Sequence, residues 1–149
     1  MRALGLDVGS KTIGVAISDP DGVIATARET LPRKGNVADV DSVARLARGE
    51  GARVVIVGLP LELDGSVGHR ARLVKRFVAA LKPALAAAQP AEVGPIAVEL
   101  WDERFSTAAA ERALLEADVS RARRRGVIDA LAAQHILQGW LDARRRPSA

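Results

Sequence analysis

The chain has 149 residues, of which 48% are hydrophobic, 27% charged and only 3% aromatic. This balance excludes disordered and fibrous proteins. It predicts a single globular domain over residues 1–149, with a core from about residue 3 to 143 and a frayed end at 144–149. Because the chain has no cysteine, disulfides, Cys-ligated zinc, iron–sulfur clusters and thiol catalysis are excluded together.

The formal net charge is +4, and the 18 arginines far outnumber the four lysines. The planar arginine guanidinium matches phosphate oxygens, which favours a nucleic-acid partner, although a GC-rich coding sequence would produce the same excess of arginine.

The longest apolar runs, such as residues 54–57, are far shorter than the roughly 20 residues of a membrane-spanning helix. No signal-peptide pattern opens the chain. We therefore expect a soluble, cytoplasmic protein.

The opening 31 residues predict a three-stranded antiparallel meander. Apolar segments at 3–8 and 13–18 are separated by a turn at 9–12, and turn residues at 19–22 precede an extended pattern over 23–31.

Helical and extended segments alternate after the meander. We expect two further strands, at Val54–Val57 and Ile96–Trp101. We also expect four helices: from Asp39 to Gly49 or Gly51, over Val67–Ala88, from Ser106 or Thr107 to about Ala117, and over Val127–Ala143. Pro83 should kink or interrupt the second of these helices. This order predicts an α/β fold, with a five-stranded mixed sheet of three antiparallel strands then two parallel strands, flanked by helices.

Acidic residues gather at the predicted carboxyl edge of this sheet. Asp7 ends the first strand, and Asp102 and Glu103 follow the fifth. The carboxyl ends of parallel strands share one edge, and Asp129 lies on the apolar stripe of the last helix. Such hard oxygen ligands suit Mg²⁺ or Mn²⁺, which assist phosphodiester hydrolysis. The acids therefore predict a metal-dependent nuclease.

Each acid also has a purely structural alternative. Asp7 could accept hydrogen bonds from the amides of the turn at 9–10. Asp129 could be an acid in the first turn of its helix that interacts favourably with the helix dipole. Asp102 and Glu103 could stabilise the start of the next helix. The two histidines, His69 and His135, lack a metal-ligand spacing and are expected to be surface or satisfied helix residues.

Cations and amides near these acids are candidates for substrate contacts. Ser10 and Lys11 lie in a glycine-containing loop whose amides could cradle a phosphate, although the full phosphate-loop motif is absent. Two basic groups are either solvated charges or backbone contacts. They are Arg70, Arg72, Lys75 and Arg76, and Arg121, Arg123, Arg124 and Arg125.

Four segments resemble the YqgF/RuvX family in order and spacing over essentially the whole chain. They are Gly5–Ala16, Val57–Pro60 with Asp64–Ser66, Asp102–Thr107, and Asp129–Ala133 with Ile136 and Leu137. The resemblance implies an RNase H-like fold and a bacterial cytoplasmic nuclease, described both as a Holliday junction resolvase and as a nuclease maturing the 5′ end of pre-16S rRNA.

Carried onto this sequence, the resemblance implies that Asp7, Asp129 and either Glu103 or Asp102 bind the metal. Substrate contacts are expected from Ser10, Lys11, Arg104, Arg123, Arg124 and Arg125.

RNA, in a ribosomal precursor particle, is the favoured substrate. Symmetric cutting of a four-way DNA junction needs two paired sites, and the sequence contains no evident dimer helix. Two other classes stay open. The loop at 9–12 also resembles a phosphate loop of actin-like ATPases, although those proteins clamp nucleotide between two such domains. A catalytically inactive rRNA-binding scaffold is the third alternative.

Overall fold

The computed structural model describes residues 1–87, 94–103 and 121–145, and the side chains of 1–86, 94–103 and 128–145. In chain order the elements are β1 (Arg2–Val8), β2 (Thr12–Ser18), β3 (Ala25–Pro32), α1 (Asn36–Gly49), β4 (Ala52–Leu59), α2 (His69–Ala87), β5 (Ala97–Asp102) and α3 (Arg121–Arg145). The helix predicted from Ser106 or Thr107 to about Ala117 lies outside the described residues.

The five strands form one sheet in the order β3-β2-β1-β4-β5. Pairing is antiparallel between β1 and β2 and between β2 and β3, and parallel between β1 and β4 and between β4 and β5. This arrangement confirms the predicted mixed sheet. It places β1 at the centre, with the ends of β1, β4 and β5 at one edge.

The third strand begins at Ala25 rather than at Val23 because a turn uses the preceding amides. Val23 and Ile24 donate their N–H groups to the Asp19 carboxylate at 2.7 and 2.9 Å. Gly22 donates to the Asp19 carbonyl at 3.0 Å. The amides of Ile24 and Val23 hold the pKa of Asp19 below its ordinary value.

Helices α1 and α2 differ from the prediction at particular residues. Helix α1 begins three residues before Asp39, because Gly35 adopts a φ of 109° at the cap and its carbonyl accepts the Asp39 N–H at 2.9 Å. Helix α2 continues through Pro83 instead of being interrupted. Pro83 is exposed, so water can satisfy the carbonyl that the missing proline N–H leaves without a helical partner.

Helix α3 begins at Arg121, six residues before the predicted start. The predicted start, Val127, is where the apolar period begins. The alanine and arginines before it favour a helix by propensity alone, so the helix extends further towards its N-terminus. Helix α3 ends at Arg145, two residues beyond the predicted end at Ala143. Residues 146–149 lie outside the described part.

The three central strands, β1, β2 and β4, are buried on both faces. Helices α1 and α2 cover one face, and α3 covers the other. Close approach of α3 depends on Gly5, where an added Cβ would lie 2.7 Å from the Leu137 Cβ and 3.0 Å from the Ala133 carbonyl oxygen. Within the described residues, no helix has the length and apolarity needed to cross a membrane. The core on the α3 face comprises Ala3, Ala16, Ala25, Val54, Ile56, Ala133, Ile136, Leu137, Trp140 and Leu141.

Candidate active site

Asp7 lies between two glycines in a row across the three central strands. It pairs directly with Gly14 of β2. On its other side, Leu6 pairs with Val57, so Gly58 of β4 is the next residue in register beside Asp7. Asp7 is only 5% exposed. Because neither neighbour has a side chain, other elements can approach the sheet closely on both sides of this buried carboxylate.

Helix α3 brings Asp129 over the first of these glycines. A Cβ added to Gly14 would collide with the Asp129 carbonyl oxygen and lie 3.0 Å from the Ala130 nitrogen. The Thr12 hydroxyl donates to Asp129 Oδ2 at 2.5 Å, which ties this carboxylate to the start of β2. Since α3 begins at Arg121, Asp129 lies more than two turns inside the helix. The first-turn alternative for Asp129 is therefore wrong.

Glu103 lies over the second glycine. A Cβ on Gly58 would lie 3.1 Å from Glu103 Cδ, 3.2 Å from Glu103 Cγ and 2.5 Å from Ile136 Cδ1. The Glu103 side chain is thus on the α3 face of the sheet, as Asp129 is.

Asp102, at the end of β5, lies on the other face of the sheet from Glu103. It pairs with Leu59, and strand alternation puts it on the face of Val98, which packs against the core under α1 and α2. Of the two neighbouring acids, the structure brings Glu103 and not Asp102 towards the row that contains Asp7.

A cavity of about 240 Å³ opens beside Asp7 and Asp129. The loop between β1 and β2 forms one wall, so the structure brings Ser10 and Lys11 to the two acids. Gly9 donates its N–H to the Thr12 carbonyl at 2.9 Å, which shows that the turn satisfies this amide by itself. The lining residues are Asp7, Gly9, Ser10, Lys11, Thr12, Arg70 and Asp129.

Arg70 is a cavity residue that the sequence did not single out. It lies in the first turn of α2, whereas Arg72 of the same basic group donates to the Val67 carbonyl at 3.1 Å. The topology could have distinguished Arg70 from Arg72. The segment after β4 leaves the carboxyl edge of the sheet, so the first residues of the following helix lie near that edge.

The remaining predicted contacts can be placed only in part. Arg104 lies outside the described residues. Arg123, Arg124 and Arg125 belong to the helical backbone of α3, in the two turns that precede Asp129, and their side chains lie outside the described part. His69 is exposed at the start of α2 and His135 is half-buried on α3. Neither histidine lines the cavity.

The donor chemistry fits a hard divalent cation. Asp7 and Asp129 both line one cavity, and carboxylate oxygens are the ligands that Mg²⁺ and Mn²⁺ prefer. In the ranges that the structure describes, no three acidic or histidine side chains approach closely enough to form a complete metal-binding group. The structure thus brings two of the predicted acids to one cavity and leaves Glu103 over the adjacent strand.

A five-stranded mixed sheet with this strand order around a central β1 is an RNase H-like fold. Two solved structures share it. Thermus thermophilus RuvC in complex with a Holliday junction substrate has a TM-score of 0.58 at 14% identity, covering 97% of this chain and 96% of that one. Fowlpox virus resolvase in complex with Holliday junction DNA has a TM-score of 0.60 at 11% identity, covering 98% and 100%.

The chain belongs to the RuvX family, whose model is described as Holliday junction resolvase and matches residues 1–143. A relative from Myxococcus xanthus is 52% identical over 99% of this chain and 91% of its own length. A relative from Symbiobacterium thermophilum is 50% identical over 97% and 94%. Both carry the name "Putative pre-16S rRNA nuclease".

Proposed function

We propose that this protein is a metal-dependent nuclease that hydrolyses RNA phosphodiester bonds in processing the 5′ end of pre-16S rRNA. The observation that carries this proposal is the row formed by Gly14, Asp7 and Gly58, with Asp129 over one glycine and Glu103 over the other. Three acids from distant parts of the chain share one face at one edge of the sheet. The names of close relatives, at up to 52% identity, support rRNA as the substrate.

Asp7 and Asp129 would hold Mg²⁺ or Mn²⁺, and Glu103 is the third acid on that face. A bound divalent cation supplies Lewis-acid activation of the phosphate and of the attacking water. The protein contributes the placement of its carboxylates. Thr12 orients Asp129 through its hydroxyl, and the two glycines let Asp129 and Glu103 approach the sheet on either side of Asp7.

Cations on the cavity wall would bind the substrate backbone. Lys11 and Arg70 line the cavity with the acids, and a phosphate drawn to these cations would come to lie beside Asp7. Ser10 adds a hydroxyl donor to the same wall. Arg104 and the group Arg123, Arg124 and Arg125 remain proposed contacts to flanking phosphates, since the helix carries that group in the turns before Asp129.

A Holliday junction resolvase is the second candidate. The family description and the likeness to two resolvase structures favour it. RNA processing is preferred because symmetric junction cutting needs two paired sites. The proposed setting is a cytoplasmic ribosomal precursor particle, with the chain acting as a single domain.

The test uses one preparation of the full chain with Mg²⁺ or Mn²⁺. Precursor 16S rRNA with an extended 5′ end, a synthetic four-way DNA junction and ATP are supplied in separate reactions, each beside an Asp7→Asn control. We expect metal-dependent shortening of the RNA that the control lacks. Symmetric cutting of the junction with the RNA untouched would replace the proposal with the resolvase function. ATP turnover alone, or RNA binding without cleavage, would reject both nuclease functions.

A further inference from the structure

Arg33, directly after β3, connects the cavity loop to two helices. Its side chain is only 14% exposed. Nη1 donates to the Gly9 carbonyl at 2.6 Å, and the backbone N–H of Arg33 donates to the Lys11 carbonyl at 2.9 Å. Both acceptors belong to the loop that forms a wall of the candidate active site.

The Arg33 guanidinium is itself held from three directions. Nε donates to Asp39 Oδ2 at 2.8 Å, and Nη2 donates to Asn36 Oδ1 at 2.6 Å. The guanidinium carbon lies 5.6 Å from the centre of the fully buried Phe77 ring, within the range of a cation–π contact. Asp39 is also buried, and it accepts the Lys34 N–H at 3.0 Å. The guanidinium therefore has little freedom to move away from the loop.

We propose that Arg33, anchored by Asp39, is a positioning residue that fixes the loop of residues 9–12 in the geometry needed for cleavage. The inference deepens the proposed function and rests on it. Arg33 does not line the cavity. Its guanidinium acts through the Gly9 carbonyl, while its backbone N–H bonds the Lys11 carbonyl whatever the side chain. The guanidinium thereby fixes where Ser10 and Lys11 lie relative to Asp7.

The arrangement requires arginine rather than a positive charge alone. Nε, Nη1 and Nη2 serve three different acceptors at once. A lysine ammonium on a flexible stem cannot span Asp39, Gly9 and Asn36 together and cannot reproduce the planar contact with Phe77. Arg33→Lys is therefore expected to recover only part of the function.

Removing Arg33 alone would leave Asp39 buried without its cation and could unfold the protein. The test variant is therefore Arg33→Met combined with Asp39→Asn, which removes both charges and keeps an acceptor for the Lys34 N–H. The matched control is Arg28→Met. Arg28 is on β3, pairs with Glu29 and Glu50, and contacts no loop residue among its described bonds.

Two measurements are made on the double variant, Arg33→Lys and the control. The first is amide hydrogen exchange over residues 9–12, which reports loop order without any reference to catalysis. The second is kcat and KM for RNA cleavage. In the double variant we expect exchange to accelerate about tenfold or more. We expect kcat to fall by a similar factor while KM stays within about twofold, because many phosphates share the affinity.

The control should match the wild type in both measurements, and Arg33→Lys should fall between them. Unchanged exchange over 9–12 in a folded double variant would overturn the inference, as would faster exchange with an unchanged kcat. If the wild type cleaves no RNA, the proposed function fails, and the inference of a positioning role for cleavage fails with it. The exchange data would then show separately whether Arg33 orders the loop.

Discussion

The backbone of Asp129 occupies the space that a side chain on Gly14 would need. A Cβ there would collide with the Asp129 carbonyl oxygen and carbon. Because Gly14 pairs directly with Asp7, this contact sets the height of α3 above the sheet and the approach of Asp129 to Asp7. Only a residue without a side chain permits it.

Gly14→Ala is expected to lower the free energy of unfolding by about 1–3 kcal/mol, the usual cost of an overpacked core. It should also reduce cleavage, because Asp129 must move away from Asp7. Chemical denaturation and single-turnover cleavage check both effects. Gly49→Ala is the matched control: Gly49 ends α1 with nothing within 4 Å of an added Cβ, so it should be neutral or slightly stabilising. Equal stability of the two variants would contradict the contact.

Asp7→Asn is expected to abolish metal-dependent cleavage while the protein stays folded. The amide keeps the volume of the carboxylate but loses the charge that would hold the cation. We expect a loss of at least about 100-fold, since even groups behind metal ligands contribute 10–100-fold. Circular dichroism verifies the fold, and Asp41→Asn, at an exposed position on α1, should leave the rate unchanged. A near-wild-type rate for Asp7→Asn would remove Asp7 from the site.

Glu103→Gln should reduce cleavage by at least about tenfold more than Asp102→Asn, a margin typical of groups that support metal sites. Glu103 lies over Gly58 on the α3 face, whereas strand alternation turns Asp102 towards the opposite face. Single-turnover rates for the two variants decide the ranking. Equal rates, or a slower Asp102→Asn variant, would reassign the acid to Asp102.

Thr12→Val should reduce cleavage by about 10–100-fold, the usual effect of losing a group that orients a metal ligand. Valine matches the shape of threonine but cannot donate the hydrogen bond to Asp129 Oδ2. Thr12→Ser keeps the donor and should retain most of the activity. If valine and serine at this position gave the same rate, the hydroxyl would have no role in orienting Asp129.

Lys11→Gln and Arg70→Gln should each weaken RNA binding and flatten its dependence on salt. For single strands, each lost phosphate contact should change the slope of log K against log salt by about 0.7. Filter binding over a range of salt concentrations measures this slope. Arg72→Gln is the control, since Arg72 donates to the Val67 carbonyl and does not line the cavity. An equal change in all three variants would indicate general charge loss.

The sequence alone predicted the types of the described elements and the mixed sheet, and it named four candidate acids, Asp7, Asp102, Glu103 and Asp129. Hydrophobic alternation and turn residues locate strands because both are local signals. Asp7 stood out because it ends an otherwise apolar strand. The start of α3 was missed because the segment from Arg121 carries no apolar period, although its residues favour a helix.

The tertiary structure decided which residues meet. Thr12 and Asp129 are 117 positions apart, and no local pattern in the sequence joins them. The packing of α3 on the sheet explains why glycine is needed at positions 14 and 58. The start of α2 beside the carboxyl edge explains why Arg70 lines the cavity. Which of Asp102 and Glu103 lies on the face of Asp7 depended on strand register, since one position along a strand reverses the face to which a side chain points.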